Sequence, residues 1–253
     1  MDIFICTNVF IPLRSSPAHS SEMISQILFG ERFQIAEASG NWLRVETYFD
    51  SYKGWIDSSH GGYIRFDEAE NAIITGREMT CLREDGSLIT LAPGSELYNL
   101  KENFSSFMTG GERYTMQGAD AELFSPSAML TGTAIQFLNA PYLWGGRTPL
   151  GIDCSGLVQV VCKIHGIALP RDASCQAEIG ITVNFFSEAH PGDLLFFSDE
   201  KEKISHTGML LSPGKIIHAS GIVRIDKVDH QGIWRDDLEK YTHRLRIIKN
   251  VQL

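Results

Sequence analysis

No Cys-x-x-Cys pair occurs in this 253-residue chain, and its five cysteines, at 6, 81, 154, 162 and 175, are odd in number and irregular in spacing. That pattern argues against a disulfide framework and a zinc ribbon, and it suits a reducing compartment. Cationic charge is also scarce: 22 Lys and Arg stand against 31 Asp and Glu, a net charge of −9. Nucleic acid and anionic membrane surfaces need a cationic footprint, so neither is an expected partner. No apolar run approaches the length of a membrane helix, so no integral membrane contact is expected. The opening MDIFICTNVFIPLRSS lacks a basic n-region, a long apolar stretch and a small-residue cleavage site. The expectation is a cytoplasmic protein, or a periplasmic or secreted one if a leader was removed. What remains is an ordinary globular composition, 43% hydrophobic and 21% charged, long enough for one large core or two to three small ones.

The texture of the chain changes twice. From Val9 to about Phe66 the pattern is short, alternating and β-rich, with turn residues such as Ser-Ser-Pro, Phe-Gly-Glu and Ser-Gly-Asn between the runs. A small barrel of this size is marginal alone and needs a neighbour to pack against. The blocks PLRSSP, SEMISQILFGE, GNWLRVET and DSYKGWI resemble a bacterial SH3-like barrel, in which Arg-Ser-x-Pro opens the domain and a Gly-Trp-Ile strand closes it. Residues 67–125 repeat this texture less clearly and are expected to form a second, degenerate SH3-like barrel. From Ser125 the period becomes helical: Ser125-Pro126 followed by SAMLTGTAIQFLNA reads as a capped helix ending before Pro141. SGLVQVVCKIHGI places Leu157, Val160, Val161 and Ile164 at helical spacing, with Gly166 as the stop. Strands follow in DLLFFSD, HTGMLLS, KIIHASG, IVRIDKV and RLRIIKN. The fold class is therefore α+β, divided as 1–66, 67–125 and 126–253.

Between these helices lies PYLWGGRTPLGIDCSGL, residues 141–157. A cysteine where a loop becomes a helix meets free backbone N–H groups and the positive end of the helix dipole, which favour thiolate over thiol. Cys154 is therefore a candidate nucleophile, although a cysteine opening an apolar helix is in most proteins a small buried hydrophobe. A nucleophile needs a base and a group to orient that base. His206 and His218 stand on consecutive expected strands joined by Ser212-Pro213-Gly214, where cross-strand pairing sets residues side by side. A Cys/His/His zinc site uses the same residue types but lacks close-paired ligand spacing. Cys6, Cys81, Cys162 and Cys175 are most simply packing residues.

The blocks Y-x-W-G-G at 142–146, D-C-S-G-L at 153–157, P-R-D-A-S at 170–174, P-G-D-L-L-F-F at 191–197, S-H-T-G at 205–208 and I-H-A-S at 217–220 occur in this order. The series closely resembles the NlpC-type cysteine peptidases of bacterial cell-wall metabolism. The resemblance implies a papain-like catalytic domain with nucleophile Cys154, general base His206 and orienting His218. It also implies that the Tyr142 hydroxyl and the Cys154 backbone N–H hold the developing oxyanion. No metal or organic cofactor is required.

With the barrels included, the chain is similar to the γ-D-glutamyl-L-diamino acid endopeptidases. These cut murein peptides of the type L-Ala-γ-D-Glu-diamino acid that carry a free N-terminal L-alanine. An ammonium in a pocket must be paired with carboxylates. By resemblance Asp172 and Glu22 bind the amine, Tyr52 lines the same pocket, and Asp153 and Ser155 line the site near the γ-D-glutamyl unit. Each has a plainer alternative: Glu22 solvated, Tyr52 packed in its barrel, Asp172 an N-cap. The block Thr-Gly-Met after His206 and the alanine at position 173 depart from the family pattern. Two other functions compete: a papain-like amidase or acyltransferase with the same triad, and a non-catalytic peptidoglycan-binding protein.

Overall fold

In the computed structural model, which describes residues 2–66, 73–117 and 129–252, the alternating apolar residues of the first segment fold inward. Seven strands pair in the order Met23–Leu28, Phe10–Arg14, Lys53–Asp57, Trp42–Thr47, Arg32–Ser39, Ile3–Cys6 and Tyr63–Arg65. Cys6, Ile11, Leu13, Ile27, Phe33, Val45 and Ile56 form their core. A four-stranded sheet follows, ordered Leu88–Leu91, Met79–Arg83, Glu112–Met116 and Ser106–Thr109. The first sheet does not stand alone. Phe29, in the turn after Met23–Leu28, enters the second core edge-on to Tyr114 at 5.1 Å and to Phe107 at 6.0 Å.

The chain divides into two compact units, Met1–Pro126 with Trp144–Thr148, and Ser127–Leu143 with Pro149–Leu253. The short excursion Trp144–Thr148 belongs to the first unit because Arg147 is buried there. Its guanidinium donates to both Glu31 oxygens, at 2.7 and 2.8 Å, and its backbone N–H donates to Gln26 at 2.7 Å. Gly145 makes the approach possible: at φ +78° its added Cβ would lie 2.3 Å from the Met23 carbonyl oxygen.

The second unit is built on antiparallel strands, in the order Ile181–Val183, Lys240–Asn250, Leu194–Ser198, Ile204–Ser212, Lys215–Ser220, Ile222–Val228 and Gly232–Arg235. The last of these also pairs with Lys240–Asn250, so six of the seven strands close into a barrel. Leu195, Phe197, Leu210, Ile216, Val228, Ile233 and Ile248 pack together as its core. Leu194–Ser198 is buried along its whole length, as the apolar run LLFF requires.

Helix α1 spans Leu130–Ile135, shorter than the sequence suggests, with Gly132 and two β-branched threonines inside it. The expected cap at Ser125-Pro126 lies outside the described residues. Helix α2 spans Cys154–Ile164 and stops where expected, at Gly166 with φ +75°. It contacts the strands Ile204–Ser212 and Lys215–Ser220. A short helix α3, Ala173–Gln176, touches the first of these strands.

Candidate active site

Cys154 is the first residue of α2, and the helix starts there for a local reason. Asp153 is extended, and its Oδ1 accepts the Gly156 N–H at 2.7 Å, an N-cap bond. The same carboxylate is gripped by Arg171, whose Nη1 donates to Oδ1 at 3.0 Å and whose Nη2 donates to Oδ2 at 2.5 Å. Arg171 also donates to the Ser155 hydroxyl at 2.7 Å. Asp153 and Ser155 are both buried, so the two residues expected to line the site take part in anchoring the helix start.

The expected activation of the resting thiol is not found. Burial first, and the Asp153 carboxylate second, push the Cys154 thiol up to about 11, against hydrogen bonds from the Thr207 and Ser155 backbone that favour the anion. The helix terminus is outweighed because the sulfur is almost completely removed from water.

The Thr207 contact sets the sulfur beside the strand that carries His206. Gly208 on this strand pairs with His218 on the next, so His206 and His218 occupy neighbouring positions on one face. Here glycine is required by space: a Cβ at 208 would lie 2.8 Å from both the His218 Cβ and the Ile217 carbonyl oxygen. His206 Nε2 is 2.8 Å from His218 Nδ1, and His218 Nε2 is 2.9 Å from Asp226 Oδ2. Arg224 holds the far side of that carboxylate, with Nη2 donating to Oδ1 at 2.9 Å.

These contacts define the protons. Burial lowers the pKa of His218, so its ring is neutral. Burial raises the Asp226 pKa, but hydrogen bonds from His218 and Arg224 outweigh it and keep the carboxyl ionised. A carboxylate only accepts, so His218 Nε2 carries the proton and its Nδ1 is an acceptor. His206 Nε2 must then donate, which leaves the unprotonated Nδ1 of His206 as the basic atom. The His206 pKa lies well below the ordinary value because of burial, then the neighbouring His218 and His243. His243 stacks on His206 with ring centroids 4.1 Å apart.

Tyr142 is half-buried, and its phenol is pushed up to about 12 by burial and by the nearby Cys154 and Asp153, so it stays a proton donor. Asp172 is exposed and occupies the N-cap position of α3, as in the plainer alternative, although its side chain makes no capping bond. Glu22 and Tyr52 lie in the first unit. Glu22 is exposed and accepts from the Trp144 indole N–H at 2.5 Å. Tyr52 packs its ring against the first barrel's core. All five cysteines are free; Cys6, Cys81 and Cys162 are buried as packing residues, whereas Cys175 is exposed.

Sequence reasoning missed Asp226, His243 and Arg171. Asp226 had a signal: in IVRIDKV it alternates with Val228 on the inward face, where an acidic residue needs a partner.

A cysteine at a helix start that meets the backbone of the strand next to a His–His–Asp relay, in a sheet-rich unit with few helices, is an arrangement that can carry thiol-based hydrolysis. The sequence profile of the NlpC/P60 family matches residues 139–242, and that of the bacterial dipeptidyl-peptidase Sh3 domain matches residues 13–60. The chain belongs to the NlpC/P60 family and is a hydrolytic peptidase with an N-terminal SH3 domain.

It is 32% identical to the gamma-D-glutamyl-L-lysine dipeptidyl-peptidase of Bacillus subtilis, over 77% of this chain and 71% of that protein. It is 30% identical to dipeptidyl-peptidase 6 of Lysinibacillus sphaericus, over 89% of this chain and 92% of that protein. The crystal structure of an NlpC/P60 family protein from Bacillus cereus shares the fold, with a TM-score of 0.83 at 18% identity over 99% of this chain and 100% of the other.

Proposed function

We propose that this protein is a cysteine endopeptidase that hydrolyses the γ-D-glutamyl–diamino acid bond of murein peptides with a free N-terminal L-alanine, in turnover or recycling of cell-wall peptides. The observation that carries the chemistry is the relay His206–His218–Asp226 next to the strand backbone that touches Cys154. The substrate class is supported by the names of the relatives, one of which is a gamma-D-glutamyl-L-lysine dipeptidyl-peptidase. The domain division 1–66, 67–125 and 126–253, a degenerate second barrel and a papain-like packing of helix on sheet belong to the same proposal.

In this mechanism thiol and imidazole are both neutral at rest. As the Cys154 sulfur attacks the γ-glutamyl carbonyl carbon, its proton passes to His206 Nδ1. The oxyanion that develops is met by the Cys154 backbone N–H and the Tyr142 hydroxyl. Imidazolium at His206 then gives its proton to the departing amine, and the C–N bond breaks to leave a thioester. Water attacks the thioester with His206 as base, and the released sulfur recovers its proton. Asp226 favours each imidazolium through His218. In this reading Asp172 pairs with the substrate ammonium and Asp153 and Ser155 border the γ-glutamyl site, while Glu22 and Tyr52 keep the amine-binding roles that the resemblance implies for them.

The test is incubation of reduced protein with L-Ala-γ-D-Glu-diaminopimelate and with its N-acetylated form, products being read by mass spectrometry. Release of L-Ala-D-Glu from the free-amine peptide alone is the expected result, abolished by Cys154→Ala. Equal cleavage of both peptides would refute amine recognition, and cleavage of neither would refute the substrate.

A further inference from the structure

Away from the active site, in the first unit, three side chains from separate segments turn their donor atoms toward one point. Asp57 ends the strand Lys53–Asp57, His60 ends the single 3-10 turn that follows it, and His19 comes from the loop between the first two paired strands, Phe10–Arg14 and Met23–Leu28. Asp57 Oδ2 is 3.4 Å from His19 Nε2 and 3.7 Å from His60 Nε2, and the three ligand atoms all lie within 4.8 Å of one another.

The Asp57 carboxylate is fixed by hydrogen bonds, and the segments that carry the two imidazoles are tied locally. Asp57 is buried, and its Oδ1 is taken by the Ser59 N–H at 2.9 Å and the Ser59 hydroxyl at 2.7 Å, which turns Oδ2 toward the imidazoles. Gly61, at φ +59°, closes the turn that presents His60. The His19 ring rests on Trp42 at 5.1 Å. Its loop is tied at the base by Ser15 N–H to the Glu22 carbonyl oxygen at 2.9 Å and by Arg14 Nη1 to the Ser21 carbonyl oxygen at 2.6 Å. The three residues line a recess of about 60 Å³, enough for the remaining waters of a bound cation.

We propose that His19, Asp57 and His60 form a site for a divalent transition-metal cation, with Zn2+ as the best fit. Bonds of about 2.0–2.2 Å in tetrahedral geometry place neighbouring ligand atoms roughly 3.3–3.6 Å apart, close to the two distances to Asp57. Two imidazoles and one carboxylate are borderline donors that suit Zn2+, whereas Ca2+ and Mg2+ take oxygen sets. Water completes the coordination from the recess. The cation bridges the loop Ser15–Glu22 to the end of the strand Lys53–Asp57, so it acts as a clip on the barrel and takes no part in peptide hydrolysis. Arg14 also lines the recess and is the one cationic side chain opposed to it among the described lining residues.

Isothermal titration with ZnCl2 tests the site, using full-length Cys154→Ala protein so that the active-site thiol does not compete. The variants are His19→Ala, His60→Ala and both together; their side chains are mostly exposed, and circular dichroism checks that the fold is kept. The parent is expected to take up one equivalent that the double variant lacks, and each single variant to bind at least tenfold more weakly. Zn2+ raises the melting temperature of the parent but not of the double variant, and MgCl2 moves neither. Equal Zn2+ uptake by parent and double variant, no uptake by the parent, or an equal response to MgCl2 would each overturn the proposal.

Discussion

Replacing Asp226 by Asn removes one negative charge from the end of the relay without changing the shape of the side chain. The links of 2.8 and 2.9 Å, with one imidazole between them, put the carboxylate at most about 8 Å from His206 Nε2. At an effective dielectric constant of about 20, a charge at that distance stabilises imidazolium at His206 by about 2 kcal/mol. In the proposed mechanism imidazolium is the species formed as Cys154 attacks, so loss of this stabilisation costs roughly thirtyfold in kcat. Arg224 contacts the carboxylate in the native protein and stays when the charge is removed, so it does not reduce this difference. Asn can also donate to His218 Nε2, which would reverse both tautomers and put the His206 proton on Nδ1, where a base needs a lone pair. Thirtyfold is therefore a lower bound. The assay is steady-state cleavage of L-Ala-γ-D-Glu-diaminopimelate near neutral pH, with circular dichroism to confirm the fold. Asp226 is not placed against substrate, so kcat should fall while KM holds. A folded variant with kcat within threefold of the parent, or with only KM changed, would refute the relay.

Three further outcomes follow from the same geometry. Burial lowers the pKa of His206, His218 and His243, the last to about 4, so the unfolded chain binds protons before the folded one does. Stability is then fully present above about pH 6.5 and is lost as pH falls toward 4; melting curves across that window should show it, and His243→Gln should flatten the slope. Gly208→Ala forces a methyl group onto the His218 Cβ and the Ile217 carbonyl, so kcat should fall more than tenfold, with about 1–3 kcal/mol lost in urea unfolding. Wild-type kcat would show that the strands relax without moving His218. Arg147→Met leaves the Glu31 carboxylate buried without its partner and should cost about 3–5 kcal/mol in the same measurement, most of it recovered by adding Glu31→Leu.

Features governed by near neighbours in the chain were legible from sequence alone. The helix start at Cys154 and the Gly166 stop of α2, the alternating strands, and the turn that sets His206 beside His218 all depend on residues a few positions apart. The order of the motifs was enough for the family and for its class, a hydrolytic peptidase. Tertiary structure decided what depends on burial and on distant partners. Closure of the barrel by Gly232–Arg235 against Lys240–Asn250 has no local signature, nor has the pairing of Arg147 with Glu31 across 116 positions. The tautomers of both histidines depend on Asp226, which became visible as a partner only once the strands were paired. The protonation of Cys154 even runs opposite to its local context. A helix start alone favours thiolate, but the rest of the fold removes water from the sulfur, and desolvation of a full charge outweighs the partial charges of one helix end.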